Sequence, residues 1–60
     1  MSMTQEIQEK MGPLSEEDKA RVFEMADNSS DQRVEFIVDR ILTGETFDQA
    51  CELANQHNYL

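Results

Sequence analysis

The chain has 60 residues, and its 13 acidic and 5 basic side chains give a formal net charge of −8 at pH 7. A chain of this length forms at most one small domain, and it is too short for a Rossmann unit or a barrel. The negative charge opposes direct nucleic acid binding, because proteins contact phosphates mainly through Lys and Arg.

The cysteine content and the hydropathy pattern indicate the compartment. Cys51 is the only cysteine, so the chain has no intramolecular disulfide of the kind that stabilises small secreted domains. The N-terminal residues lack a basic segment followed by an apolar one, so no signal peptide is expected. The longest strongly apolar run, Phe36-Ile37-Val38, is far shorter than the roughly 20 residues that span a bilayer. These features predict a cytoplasmic protein that does not bind membranes.

The first predicted helix covers about residues 3–11 and ends at Gly12-Pro13, since proline cannot continue a helix. Glu6 and Lys10 are spaced for a favourable i, i+4 ion pair. Its apolar residues recur every four positions: Met3, Ile7 and Met11. Such a short helix is not stable by itself. Residues 1–13 are therefore predicted to be a mobile arm, or a helix that docks on the rest of the chain or on a partner.

The second predicted helix covers about residues 15–27 and has the clearest start in the chain. Ser15 is its expected N-cap, and the next three residues are acidic, as the helix dipole favours. Glu17 and Arg21 form a second i, i+4 pair. Its predicted apolar face consists of Ala20, Val22, Phe23 and Ala26, with Met25 at the edge.

The third predicted helix, about residues 30–43, has the strongest amphipathic pattern. Its apolar residues occupy an arc of about 140° on the helix. They are Val34, Ile37, Val38, Ile41 and Leu42. Thr43-Gly44 is the expected C-terminal cap. This helix is predicted to be the centre of the core.

The fourth predicted helix covers about residues 46–57 and opens with a capping box formed by Thr46 and Gln49. It is expected to fray at its C-terminal end. Its predicted buried residues are Phe47, Ala50, Leu53 and Ala54, with Cys51 alongside. Short connections favour antiparallel neighbours. The sequence thus predicts one all-α domain over residues 1–60, a small helical bundle of three main helices with a short N-terminal helix or arm.

Chemistry-bearing residues are few. His57 is the only histidine and is expected to be exposed near a helix end, while Cys51 is expected to be a small buried apolar residue. A zinc site needs more ligands than these two residues supply, and no glycine-rich phosphate loop is present. No catalytic, cofactor-binding or metal-binding residues are predicted, and an enzyme is not expected.

Acidic stripes are the main candidate functional feature. Asp31, Glu35 and Asp39 are spaced i, i+4, i+8 beside the apolar face of the third helix, and Phe36 falls outside that face. The candidate partner-binding set adds acidic residues of the second and fourth helices: Glu24, Asp27, Glu45, Asp48 and Glu52. One interpretation is a solvated surface that keeps a small protein soluble. The other is a surface that steers the protein toward a basic partner.

The binding interpretation is preferred because like charges at i, i+4 destabilise helices, a cost that a small bundle tolerates more readily where the charge serves binding. Basic surfaces commonly belong to proteins that handle nucleic acids. In size and charge the chain resembles small acidic nucleic-acid-mimicking inhibitors, many of them encoded by phages and mobile elements. The sequence therefore predicts an inhibitor or regulator that occupies a basic surface of a larger protein.

Two alternatives remain at this point. A homodimeric adaptor or structural subunit would use an exposed apolar face made of Met3, Ile7, Met25 and Phe36. A helix-turn-helix DNA-binding protein would use the turn over residues 42–47. This hypothesis is less favoured, because the helix that would enter the DNA major groove contains no Lys or Arg.

Overall fold

Four α-helices follow one another in the computed structural model, which describes residues 3–59. They are α1 (Gln5–Lys10), α2 (Glu16–Ala26), α3 (Asp31–Leu42) and α4 (Phe47–Gln56). No strand occurs within the described residues. The predicted all-α bundle with a short N-terminal helix is confirmed.

Each helix begins at a hydroxyl side chain that caps it. In every case the side-chain oxygen accepts a hydrogen bond from the backbone N–H three residues further on, which satisfies one free donor of the first turn. The capping residues are Thr4, Ser15, Ser30 and Thr46. The predicted capping box is also present, because the Gln49 side chain accepts from the Thr46 backbone N–H at 3.1 Å.

The end of α3 is a Schellman motif centred on Gly44. Its φ of 111° lies in the region that favours glycine, and its N–H donates to the Ile41 carbonyl at 3.0 Å. The next N–H, of Glu45, donates to the Arg40 carbonyl at 3.2 Å. The predicted Thr43-Gly44 cap is confirmed, and it turns the chain into α4.

The end of α4 uses the same motif with asparagine in place of glycine. Asn58 has a φ of 61°, and its N–H donates to the Asn55 carbonyl at 3.1 Å. The Tyr59 N–H then donates to the Ala54 carbonyl at 3.0 Å. The end of α4, where the sequence predicts fraying, is therefore capped as far as Tyr59, because the motif satisfies the last carbonyls and turns the chain back on itself.

The core is built around α3, which contacts all three other helices and packs most extensively on α4. Val34 and Val38 face one buried cluster, which is completed by Met3, Ile7, Met11, Leu14, Val22 and Ala26. Ile37 faces a second cluster with Ala50 and Ala54 of α4. Met25, Ile41 and Phe47 are half-buried and pack against both clusters, so they join the two halves of the core.

The N-terminal segment is docked on the chain itself. Met3, Ile7 and Met11 are each at most 7% exposed, and α1 lies against α3. Residues 1 and 2 of the predicted 1–13 arm lie outside the described residues. From Met3 onward this segment supplies three of the eight buried residues of the larger cluster.

Two large side chains predicted to be buried are instead exposed. Phe23 and Leu42 are 43% and 42% exposed. On a helical wheel Phe23 lies about 100° from Val22, away from the side that α2 turns to α3, and Leu42 lies about 40° beyond Val38 at the last turn of α3. The buried arcs are narrower than the apolar arcs because a small bundle covers only one side of each helix.

Candidate protein-binding surface

The stripe of Asp31, Glu35 and Asp39 is partly neutralised within the chain. Lys10, at the end of α1, crosses to α3 and lies 2.8 Å from the Glu35 carboxylate and 3.5 Å from that of Asp39. The hydrogen bond to Glu35 is the main reason that the pKa of Lys10 is raised. Lys10 does not make the predicted pair with Glu6. Asp31 is half-buried, and its Oδ1 is buried without a hydrogen-bond partner among the described residues.

Glu45 is held by a bidentate ion pair. The Arg40 Nε and one terminal guanidinium nitrogen each lie 2.6 Å from a Glu45 carboxylate oxygen. These hydrogen bonds lower the pKa of Glu45. The pair spans the turn between α3 and α4, so Glu45 reinforces that turn instead of standing free on the surface.

This pair predicts a pH-dependent contribution to stability. Because the pKa of Glu45 is lowered by folding, its stabilisation is complete above the ordinary glutamate pKa of about 4.3 and is lost as the pH falls through the lowered value. Glu45→Gln should therefore have a lower urea midpoint than the parent chain at pH 7, and the gap should close at the lowest pH values. Glu52→Gln is the matched control, because it removes a carboxylate of α4 that forms no ion pair within residues 3–59. A gap that stays constant with pH would contradict this account.

The other basic side chains are also engaged within the chain. Lys19 lies 3.3 Å from Glu16. Arg21 lies 3.5 Å from Glu17, which confirms the predicted i, i+4 pair. Arg33 donates from Nη1 to the Asn55 side-chain oxygen at 2.9 Å and to the Tyr59 carbonyl at 3.0 Å, so it fastens the end of α4 to α3. All five Lys and Arg side chains thus have acceptors within residues 3–59.

The remaining carboxylates define the free acidic surface. Within residues 3–59, six of the 13 acidic side chains belong to ion pairs and seven do not. Four of these seven lie on the C-terminal half of α2, including its cap, and on α4. They are Glu24, Asp27, Asp48 and Glu52, all exposed, and we call them the α2/α4 acidic surface.

An open groove of about 410 Å³ separates α2 from α4 beside this surface. It is lined by Arg21, Glu24, Met25 and Asn28 of α2 and its cap region and by Phe47 and Cys51 of α4. Burial raises the pKa of the Cys51 thiol, with the Arg33 guanidinium opposing this shift and the Asp48 carboxylate adding to it. The predicted buried Cys51 is therefore half-buried at the groove, close enough to Asp48 to sense its charge.

Phe36 lies in an aromatic cluster with the C-terminal residues. Its ring centroid is 4.9 Å from that of Tyr59 and 5.4 Å from that of His57. Phe36 is half-buried and packs against the Ile37 cluster. The sequence placed Phe36 outside the apolar face but did not anticipate that Tyr59 would cover it. The available signal was Asn58, which favours a left-handed turn directly before an aromatic residue.

The apolar face suggested for a homodimer is used inside the chain. Met3 and Ile7 are buried, and Met25 and Phe36 are half-buried against the core. Association through this face would therefore require α1 to leave α3. The exposed Phe23 and Leu42 are single residues of the kind that ordinary protein surfaces carry.

Other chemistry within the described part of the chain is limited. No group of three or more His, Cys, Asp and Glu side chains in residues 3–59 is placed to hold a metal ion. His57 is exposed, as predicted. The turn between α3 and α4 leads into a helix whose exposed face carries Asp48 and Glu52, which would repel phosphate.

No helix within residues 3–59 has the length and apolar character needed to cross a bilayer. Comparison of the chain with family models, curated proteins and solved structures finds no match.

Proposed function

We propose that this chain is a small acidic protein-binding module that inhibits or regulates a larger protein by occupying a basic, nucleic-acid-binding surface. One observation carries the proposal. The chain engages all five of its basic side chains internally, yet within residues 3–59 the four carboxylates of the α2/α4 acidic surface form no ion pairs. We place the protein in a reducing cytoplasm, where Cys51 stays a thiol.

Physical considerations support this role. Exposed charge of one sign creates a negative potential that accelerates encounter with a basic surface and disfavours acidic partners. A standard interface covers about 800 Å² on each partner, which is about a fifth of the 3942 Å² accessible surface of this chain. A domain this small can therefore form such an interface through one side while its core stays intact.

The test is partner capture followed by kinetics with charge variants. The immobilised chain is exposed to cell lysate at about 50 mM salt, and captured proteins are identified by mass spectrometry and purified. Association with the parent chain should slow at least about tenfold between about 50 and 500 mM salt. The purified partner should also lose nucleic acid binding when the chain is added.

Two variants with equal net charge sharpen the result. The first neutralises the α2/α4 acidic surface by Glu24→Gln, Asp27→Asn, Asp48→Asn and Glu52→Gln. The second neutralises four carboxylates of α1 and the start of α2 by Glu6→Gln, Glu9→Gln, Glu16→Gln and Glu17→Gln. The first should weaken binding more than the second while both retain helical circular dichroism. Association independent of salt, or a complex that still binds nucleic acid, would contradict the proposal.

A further inference from the structure

We infer that the α2/α4 groove is the anchor point of the proposed binding surface, and that it accepts one bulky apolar side chain from a basic amphipathic helix of the partner. This inference rests on the proposed function and specifies where on the chain binding occurs.

The groove combines an apolar interior with an acidic edge. Met25, Phe47 and Cys51 line it and are half-buried against the Ile37 cluster, so their positions are fixed by the core. A bulky side chain placed there would bury apolar surface that the free protein leaves in contact with water, which is favourable at about 25 cal/mol per Å². Interfaces concentrate their binding energy at a few large side chains that become fully desolvated on binding.

The charges around the groove select a cationic occupant. Glu24 lines the groove and Asp48 lies close to Cys51, and neither has an ion pair within residues 3–59. Arg21 also lines the groove, but its guanidinium lies 3.5 Å from Glu17 and 3.8 Å from Asp18 on its own helix. Lys or Arg side chains that flank the apolar anchor would therefore find free carboxylates at the edge.

Other occupants fit less well. A second copy of this chain would bring its own Glu24 and Asp48 against the same carboxylates, and each copy carries a charge of −8. The cleft of about 270 Å³ beside Phe36 and Tyr59 also has acidic residues, Glu35 and Asp39, but Lys10 already binds both. Grooves between two helices commonly accept an amphipathic helix through a few apolar anchors.

Cys51 provides a local readout, since it is the only thiol in the chain and lines the groove. The probe is a synthetic amphipathic helix of about four turns, built from Lys, Ala and Leu with one Trp in its apolar face. The anchor-free control peptide replaces Leu and Trp with Ala and keeps every Lys. Binding is measured by calorimetry, and alkylation of Cys51 by the uncharged reagent N-ethylmaleimide is measured by mass spectrometry.

At saturation, the anchored peptide should slow alkylation of Cys51 at least about fivefold. The anchored peptide should bind more tightly than the anchor-free peptide, and prior alkylation of Cys51 should abolish this difference in affinity. Glu24→Gln with Asp48→Asn should weaken its binding about three- to tenfold, as expected for two ion pairs at the surface. The control, Glu6→Gln with Glu9→Gln, removes the same charge from α1, away from the groove, and should change affinity less than about twofold.

The outcomes separate the two proposals. Equal weakening by both double variants, or salt-dependent binding that leaves alkylation unchanged or faster, would overturn the groove as the anchor while the acidic binding module stands. An equal affinity for the anchored and anchor-free peptides would likewise overturn it. Partner binding without salt dependence would overturn the proposed function itself.

Discussion

Replacing Ile7 with aspartate is expected to unfold the whole domain, although the substitution lies in a helix of six residues. Ile7 is 3% exposed and packs in the same cluster as Val34 and Val38 of α3. An isolated charge in such a cluster costs several kcal/mol, which is comparable to the roughly 3–5 kcal/mol that stabilises a bundle of this size. The helical circular dichroism signal at 25 °C should fall to that of an unfolded chain.

The matched control is Gln8→Asp, which adds the same charge to the exposed side of α1. It should keep most of the parent signal, and its free energy of unfolding from a urea titration should stay within about 0.5 kcal/mol of the parent value. If Ile7→Asp instead lost only the part of the circular dichroism signal that α1 contributes, and still unfolded cooperatively in urea, then α2, α3 and α4 would form a domain without α1. That result would favour the hypothesis that residues 1–13 are a mobile or partner-docked arm.

Replacing Ile37 with alanine should be the most destabilising truncation in the chain. Ile37 is the largest of the fully buried side chains in residues 3–59. It packs with Ala50 and Ala54 in the cluster that holds α4 on α3. Truncating a buried isoleucine costs about 2–5 kcal/mol, because both apolar contact and packing are lost. In a domain of this size each kcal/mol lowers the melting temperature by about 4–8 °C, so a drop of more than about 10 °C is expected.

Leu42→Ala is the informative comparison, because the sequence assigns Leu42 to the same apolar face of α3. Leu42 is 42% exposed, so its truncation should cost less than about 0.5 kcal/mol. Thermal melts of Ile37→Ala and Leu42→Ala under identical conditions measure the two losses of stability. Similar losses would mean that Leu42 is buried in solution and that the last turn of α3 is covered.

The candidate site was only partly predictable from the sequence. The helical period correctly assigns Asp48 and Glu52 to the exposed side of α4, because both positions follow from a repeat of 3.6 residues. The period does not say which carboxylates remain free. Glu35 and Asp39 are bound by Lys10, which is 25 residues before Glu35 in the chain, and this contact depends on where α1 docks.

The groove between α2 and α4 was missed for the same reason. Met25 and Phe47 belong to helices that are separated by all of α3, and only their common packing against α3 brings them to one groove. Arg33 and Tyr59 are likewise 26 residues apart, and their hydrogen bond requires the turn at Asn58. Asn58 marks that turn in the sequence, but neither periodicity nor capping says which distant residue the turned chain will meet.

The sequence by itself determined the four helices, because caps, turns and helical periodicity depend on residues within about four positions of one another. It also determined the excess of acid, which the sequence gives directly as the charge of −8. The tertiary structure alone decided which acids are neutralised and where an apolar groove remains. Ion pairs and grooves between helices depend on the relative placement of whole elements, which is set by how α1, α2 and α4 share the two buried sides of α3.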